Sequence, residues 1–271
     1  MWGQLMRIAV IGAGVLGSLY AERLAAAGQA ITLVARGDRL TQLQQGPILI
    51  LNEDNDARAA ATVEVVANLS PDATDDLALV VVRADQIDAL LPDLQANRGV
   101  KTFLFLHNRA AGYAALSQAV GPERLLLGFP GAGGWLDGAT VRYRLIPEQP
   151  TTIGELDGSL SPRLRQIAKV LEQAGFTVAL TRHMDDWLKT HAMLVTTISP
   201  GRFILGMAAQ RRLQDRRAAS ALWCGVSVRG LVCFRARAWS SRRGSLACWS
   251  VCLRSSRRFT YGGSWLVRRR S

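Results

Sequence analysis

The sequence predicts an α/β fold built on a doubly wound parallel sheet, followed by an incomplete helical C-terminal domain. Three observations carry that prediction. Short, apolar, β-branched runs alternate with helical periodicity down most of the chain; a glycine-rich turn joins the first strand to the first helix; and the first β-α-β unit has about thirty residues, the length that a parallel crossover requires.

The elements follow in order. Residues 6–11 read as a buried strand that runs directly into Gly12-Ala13-Gly14-Val15-Leu16-Gly17. Residues 15–27 have helical spacing, with Leu16, Leu19, Tyr20 and Leu24 on one side, and Gly28 stops them. Residues 31–35 form the second strand. Further on, strands at 77–82 and 102–106 are each followed by a helix, at 85–95 and 110–119. Between 124 and 154 the texture changes to short strands, with turn signals at Gly133-Gly134, Asp137-Gly138 and Pro147. Ser161 is the N-cap and Pro162 the first residue of a helix that ends near Gly175. A last strand at 176–180 precedes a longer helix at 184–199, closed by Pro200-Gly201. The expected organisation is therefore a doubly wound α/β domain over 1–180 and the start of a second, helical domain over 181–217.

Composition excludes several classes. With 271 residues, 49% of them hydrophobic, the chain can bury a sizeable core, and no run of 18 uninterrupted apolar residues suggests a membrane span. Arg7, the apolar stretch 8–19 and Ala25-Ala26-Ala27 loosely mimic a secretory signal, but Glu22 and Arg23 interrupt it before any cleavage site. All four cysteines lie beyond residue 223, so the first 210 residues carry no disulfide framework, which suits a cytoplasmic protein.

The net charge of +12 is unevenly distributed. Residues 1–210 hold 18 basic against 20 acidic side chains, whereas residues 211–271 hold 15 arginines, no lysine and one acid, Asp215. From about Ala218 neither periodicity continues, and Arg, Ser, Gly, Cys and Trp supply 38 of the last 61 residues. Those amino acids dominate when GC-rich coding DNA is read out of frame, so residues 218–271 are expected not to be a native domain. Sequencing the gene checks this; an intact frame shared with a functional homologue would refute it. The competing reading is a basic arm that binds nucleic acid or an anionic membrane, although such arms usually mix Lys with Arg and avoid scattered Trp and Cys. The cysteine spacing does not form the paired knuckles of a zinc site, and no metal site is expected.

The motif Gly12-x-Gly14-x-x-Gly17 gains specificity from its place between a strand and a helix. The first glycine permits the tight turn, the second lets the backbone approach a pyrophosphate, and the third allows close helix-to-strand packing. Unpaired N–H groups at the helix start, including those of Val15 and Leu16 beside Ala13, then face the phosphates. Sites for NAD usually place an acid at the end of the second strand, but this chain reads Val34-Ala35-Arg36-Gly37-Asp38-Arg39. Arg36 there could grip a 2′-phosphate, so NADP(H) is expected in preference to NAD(H).

Together with Val82-Arg83-Ala84-Asp85-Gln86, His107-Asn108 and Trp187-Leu188-Lys189, these residues resemble the ketopantoate reductase (2-dehydropantoate 2-reductase) family over residues 6 to about 210. The resemblance implies a Rossmann-type fold and NADPH-dependent reduction of 2-dehydropantoate to pantoate, on the way to pantothenate and coenzyme A. It places Arg83 and Gln86 near the cofactor, with Arg83 standing where the family usually has lysine. It places Asn108 between nicotinamide ribose and substrate, with Arg109 in place of the family's glycine, and Gly133 near the nicotinamide end. Lys189 matches the family's catalytic lysine, a proton donor to the ketone oxygen of the 2-keto acid and a substrate ligand. Four and eight residues on, where the family has substrate-binding asparagines, this chain has Met193 and Thr197; Thr197 retains a hydrogen-bonding hydroxyl.

Other assignments remain beside these. Lys189 could simply pair with Asp185 at i,i+4, His183 and His191 could be helix-surface histidines, and Asp185-Asp186 point too far apart for a metal pair. A reductase of another, more apolar 2-keto acid and an inactive NADP-binding remnant are the competing functions, with a nucleic-acid binder behind them. A homodimer is expected only if the helical domain is complete.

Overall fold

The computed structural model describes residues 5–108 and 111–209, with side chains only as far as residue 196 in the last helix. The anomalous stretch 218–271 and Arg109 lie outside the described residues.

β1 (Arg7–Ile11) is followed by α1 (Val15–Ala26), β2 (Ala30–Val34), α2 (Gly37–Gln45), β3 (Ile48–Asn52), β4 (Arg58–Ala61) and β5 (Glu64–Val66). Then come β6 (Leu77–Val80), α3 (Leu91–Ala96), β7 (Phe103–Leu106), α4 (Ala114–Val120) and β8 (Leu125–Phe129). β9 (Ala132–Asp137), β10 (Thr140–Leu145), β11 (Thr151–Glu155), α5 (Pro162–Gln173), β12 (Val178–Leu180) and α6 (Met184–Ala209) complete the described chain.

Eight strands form one sheet in the order β12-β11-β8-β7-β6-β1-β2-β5, parallel throughout except where β11 runs antiparallel to β8. Alternate residues of its central strands feed two cores. Ile8, Val10, Leu33, Leu104 and Leu126 join Leu19, Leu24 and Leu171 on one face, while Ala9, Ile11, Phe103, Phe105 and Leu127 join Leu116 and Leu188 on the other. The chain leaves β1 toward β2 on one side and returns to β6 on the other. The strand order therefore reverses between β1 and β6, where open α/β sheets leave a crevice beyond their carboxyl ends. The predicted doubly wound parallel sheet is thus observed. No helix among the described residues is long and apolar enough to cross a membrane.

A second sheet, β4-β3-β10-β9, was not anticipated, and no element was predicted for residues 47–66. It pairs strands far apart in sequence, β3 with β10, and holds α1 between the two sheets. Gly133-Gly134, expected as a turn, lies inside β9. Gly134 is needed there for close backbone approach: a Cβ on it would stand 2.2 Å from the Arg142 carbonyl oxygen.

Three helices differ from expectation. The helix predicted over 85–95 is broken into a short 3₁₀ turn, Ala84–Gln86, and α3, because Pro92 has no N–H to donate and is accommodated only in a first turn. α4 starts at Ala114, after Gly112 has turned the chain through φ +78°. α6 continues through Pro200-Gly201 to Ala209, since an interior proline removes one donor without obliging the helix to end. Ser161 does cap α5, its hydroxyl accepting from the Leu164 N–H at 3.1 Å.

Candidate active site

The crevice at the β1/β6 switch point is a cleft of about 1140 Å³. Its floor is the glycine-rich turn, and each glycine there has a distinct physical reason. Gly12 adopts φ +107°, and a Cβ on it would lie 2.7 Å from Val82 Cγ1 and 2.8 Å from the Val81 carbonyl oxygen. Gly17 brings α1 against the turn so closely that a Cβ would fall 1.7 Å from the Gly12 carbonyl oxygen. Around Gly14 nothing lies within 4 Å of a notional Cβ, so the backbone is open to whatever enters the cleft. Gly14 is also the N-cap of α1 and offers no side-chain cap. The N–H groups of the first turn are therefore left to a ligand, at the positive end of the helix.

The turn is braced by Arg39, a further residue of the cleft lining. Arg39 on α2 donates to the Ala13 carbonyl oxygen at 3.3 Å, to Ser18 Oγ at 3.2 Å, to the Ala139 carbonyl oxygen at 3.2 Å and to Gln42 Oε1. Ser18 Oγ donates to the same Ala13 oxygen at 3.1 Å. Partial burial pulls the Arg39 pKa below its ordinary value, yet the group stays charged because arginine starts so high. Arg39 thus ties the glycine-rich turn to α2 and to the β9–β10 turn.

Arg36 stands at the carboxyl end of β2, as the N-cap of α2, and lines the cleft. Its Nη2 donates to Asn68 Oδ1 and to Asp93 Oδ2, both at 3.3 Å. Ala13, Val15, Leu16, Arg83 and Gln86 line the cleft as well. Arg83 is engaged in a bidentate pair with Asp85, at 3.0 and 2.9 Å. At the far end lie Asn108, Phe129 and Pro130. Asn108 Oδ1 is buried and accepts no hydrogen bond among the described residues, an expensive state for an amide oxygen unless a ligand donor completes it.

The remaining candidates lie elsewhere. Gly17 serves helix packing behind the cleft wall, and Gly133 lies in β9 outside the lining, although its neighbour Ala132 and Leu136 belong to it. Lys189 is on α6 and does not line the cleft; its ammonium donates to Asp185 Oδ2 at 2.5 Å. That bond, ahead of smaller contributions from Asp186 and Tyr113, raises the lysine pKa, so the side chain is firmly cationic near neutrality. The Thr197 side chain falls outside the described residues. His191 stacks on Trp187 at 5.0 Å and packs against Phe129 at 4.1 Å, which brings α6 to the rim of the cleft through aromatic rings. Among the described residues no cluster could hold a metal ion.

Sequence reasoning missed Leu69, Asp93, Phe129 and Leu136 as cleft residues. None carries a local motif, and each arrives from a separate strand end or helix.

Comparison with known proteins agrees with this arrangement. The 2-dehydropantoate 2-reductase of Archaeoglobus fulgidus is 25% identical over 205 residues, covering 73% of this chain and 63% of the relative. That of Vibrio cholerae is 32% identical over 116 residues, or 42% of this chain and 36% of the relative. The chain thus spans less than two thirds of the length of either. Among solved structures, 2-dehydropantoate 2-reductase from Geobacter metallireducens GS-15 superposes with a TM-score of 0.71 at 17% identity, covering 96% of this chain and 85% of that one. The ternary structure of D-mandelate dehydrogenase with NADH and anilino(oxo)acetate gives a TM-score of 0.64 at 19% identity, covering 74% and 65%. At such identities these structures speak for the fold alone. The family model for ketopantoate reductase PanE/ApbA matches residues 8–158, from β1 to just past β11 and more than half the sequence, and this chain belongs to that family.

Proposed function

We propose that this chain is an NADPH-dependent oxidoreductase that reduces a 2-keto acid, with 2-dehydropantoate as the substrate and pantoate as the product. The observation that carries the reading is one cleft with an open glycine-rich turn at one end and the unpaired Oδ1 of Asn108 at the other. Those donors and acceptors fit a dinucleotide: the first turn of α1 suits the pyrophosphate, Arg36 a 2′-phosphate, and Asn108 the nicotinamide ribose and the substrate hydroxyl or carbonyl edge. A bound reduced nicotinamide would supply the hydride for the ketone carbon.

Lys189 is the candidate proton donor. Its raised pKa keeps it charged, which suits polarising a ketone oxygen, and serving that oxygen requires it to leave Asp185. We place the dinucleotide-binding domain at 1–180, the start of the helical domain at 181–217, and a non-native segment at 218–271. Arg83 and Gln86 belong to the cofactor site in this reading, both lining the cleft, with the Arg83 guanidinium partnered by Asp85. A dinucleotide-binding protein without turnover is the second reading, favoured by Lys189 lying outside the cleft lining.

Titrating NADPH and NADH into the protein, then following NADPH oxidation with 2-dehydropantoate and with bulkier 2-keto acids, tests both. Binding with turnover supports the reductase, binding without turnover selects the second reading, and no binding of either nucleotide defeats both.

A further inference from the structure

The end of β2 is read here by two opposed charges. Arg36 Nη2 lies 3.3 Å from Asp93 Oδ2 and 3.3 Å from Asn68 Oδ1, and both charged side chains line the cleft. Arg36 comes from the β2–α2 junction and Asp93 from the first turn of α3, so the pair reaches across the mouth of the crevice. Their side chains are 57% and 58% exposed, so a nucleotide can reach both without unfolding anything. The other guanidinium N–H groups of Arg36 carry no hydrogen bond among the described residues, leaving part of the fork free for an incoming acceptor.

We infer that Asp93 is a specificity-determining residue that narrows the preference for NADPH over NADH; this rests on the dinucleotide reading of the cleft. A 2′-phosphate drawn to Arg36 must displace or sit beside the Asp93 carboxylate, and the two anions repel. The 2′-hydroxyl of NADH is neutral and can donate to that carboxylate, the role an acid at the end of β2 usually performs. Arg36 rewards the phosphate, Asp93 penalises it and rewards the hydroxyl, and the cleft accepts both nucleotides.

The test uses the full chain and measures affinities for NADPH and NADH by fluorescence titration, for the wild type, Asp93→Asn, Asp93→Ala and Arg36→Ala. Repulsion between a phosphate dianion and a carboxylate about 6 Å apart across water predicts that Asp93→Asn tightens NADPH about tenfold, and the gain shrinks as salt is raised. Both Asp93 variants bind NADH more weakly, because a carboxylate accepts from a hydroxyl more strongly than an amide or a methyl does. Arg36→Ala loses affinity for NADPH and keeps that for NADH. An unchanged NADPH-to-NADH ratio in both Asp93 variants overturns the inference while leaving the dinucleotide reading intact. Failure of the wild type and of every variant to bind either nucleotide overturns the two together.

Discussion

Gly14 and Gly17 share one turn, yet the same methyl group is expected to act on them in opposite ways. In Gly17→Ala the new Cβ would lie 1.7 Å from the Gly12 carbonyl oxygen, against an ordinary contact of 3.4 Å or more, so α1 would have to back away by about 1.7 Å. α1 cannot do so cheaply, because Leu19, Tyr20 and Leu24 are fully buried between the two sheets. Overpacking of this severity is expected to cost upward of about 3 kcal/mol, the high end for a single buried methyl. In Gly14→Ala the methyl meets nothing, and φ −72° with ψ −165° suits alanine. A poorer N-cap costs about 0.5–1 kcal/mol, and the reduced freedom of the unfolded chain returns a similar amount, so stability is nearly unchanged. The methyl would instead occupy the space through which a pyrophosphate approaches, weakening NADPH binding by about 1–3 kcal/mol, or roughly five- to 150-fold. Urea denaturation and NADPH titration of both variants measure these effects. A Gly14→Ala protein that binds NADPH like the wild type would refute the placement of the phosphates, and a Gly17→Ala protein of wild-type stability would refute the packing argument.

With Lys189 as the proposed proton donor, Lys189→Met is expected to lower kcat about a hundredfold or more while leaving NADPH affinity unchanged, since the cofactor cleft is untouched; steady-state kinetics paired with cofactor titration checks it. Burial lowers the pKa of His191 below its ordinary 6.5, so the folded state resists a proton that the unfolded chain accepts. Stability is therefore full above pH 6.5 and is lost as the pH falls through and below that value; denaturant midpoints against pH should show the loss, and His191→Gln should flatten it. Tyr20→Phe removes the 2.7 Å hydrogen bond between the phenol and Thr151 Oγ1 while keeping the stack on Phe176, at a cost of about 1 kcal/mol read from the shift in denaturation midpoint.

The β1-turn-α1 unit was legible in the sequence because every determinant is local. An apolar run, three glycines at fixed offsets and a helical period each act within a few residues, and the structure shows Gly12 in a tight positive-φ turn, Gly17 in close helix packing and Gly14 with open space beside it. Arg36 was legible for the same reason, as the residue that ends β2. The Ser161-Pro162 cap was legible too. Misreadings arose where a local signal had two physical causes. Gly133-Gly134 looked like a turn and lies inside a strand closely paired with β10, and the helical spacing of 85–95 concealed the break that Pro92 imposes.

What the sequence could not contain is the meeting of distant segments. The second sheet exists because β3 pairs with β10, about ninety residues later, and only that pairing puts the Ala139 carbonyl where Arg39 can hold the glycine-rich turn. Asp93 faces Arg36 across 57 positions of chain, and the exposed i,i+4 pair of Lys189 with Asp185 leaves the lysine off the cleft wall. The sequence by itself determined the chemistry on offer, a glycine-rich turn at a helix N-terminus with an arginine beside it, because turn geometry and strand ends are short-range properties. Only the tertiary structure decided which charges oppose that arginine and which groups reach the cleft, because those depend on how the sheet brings separate strand ends together.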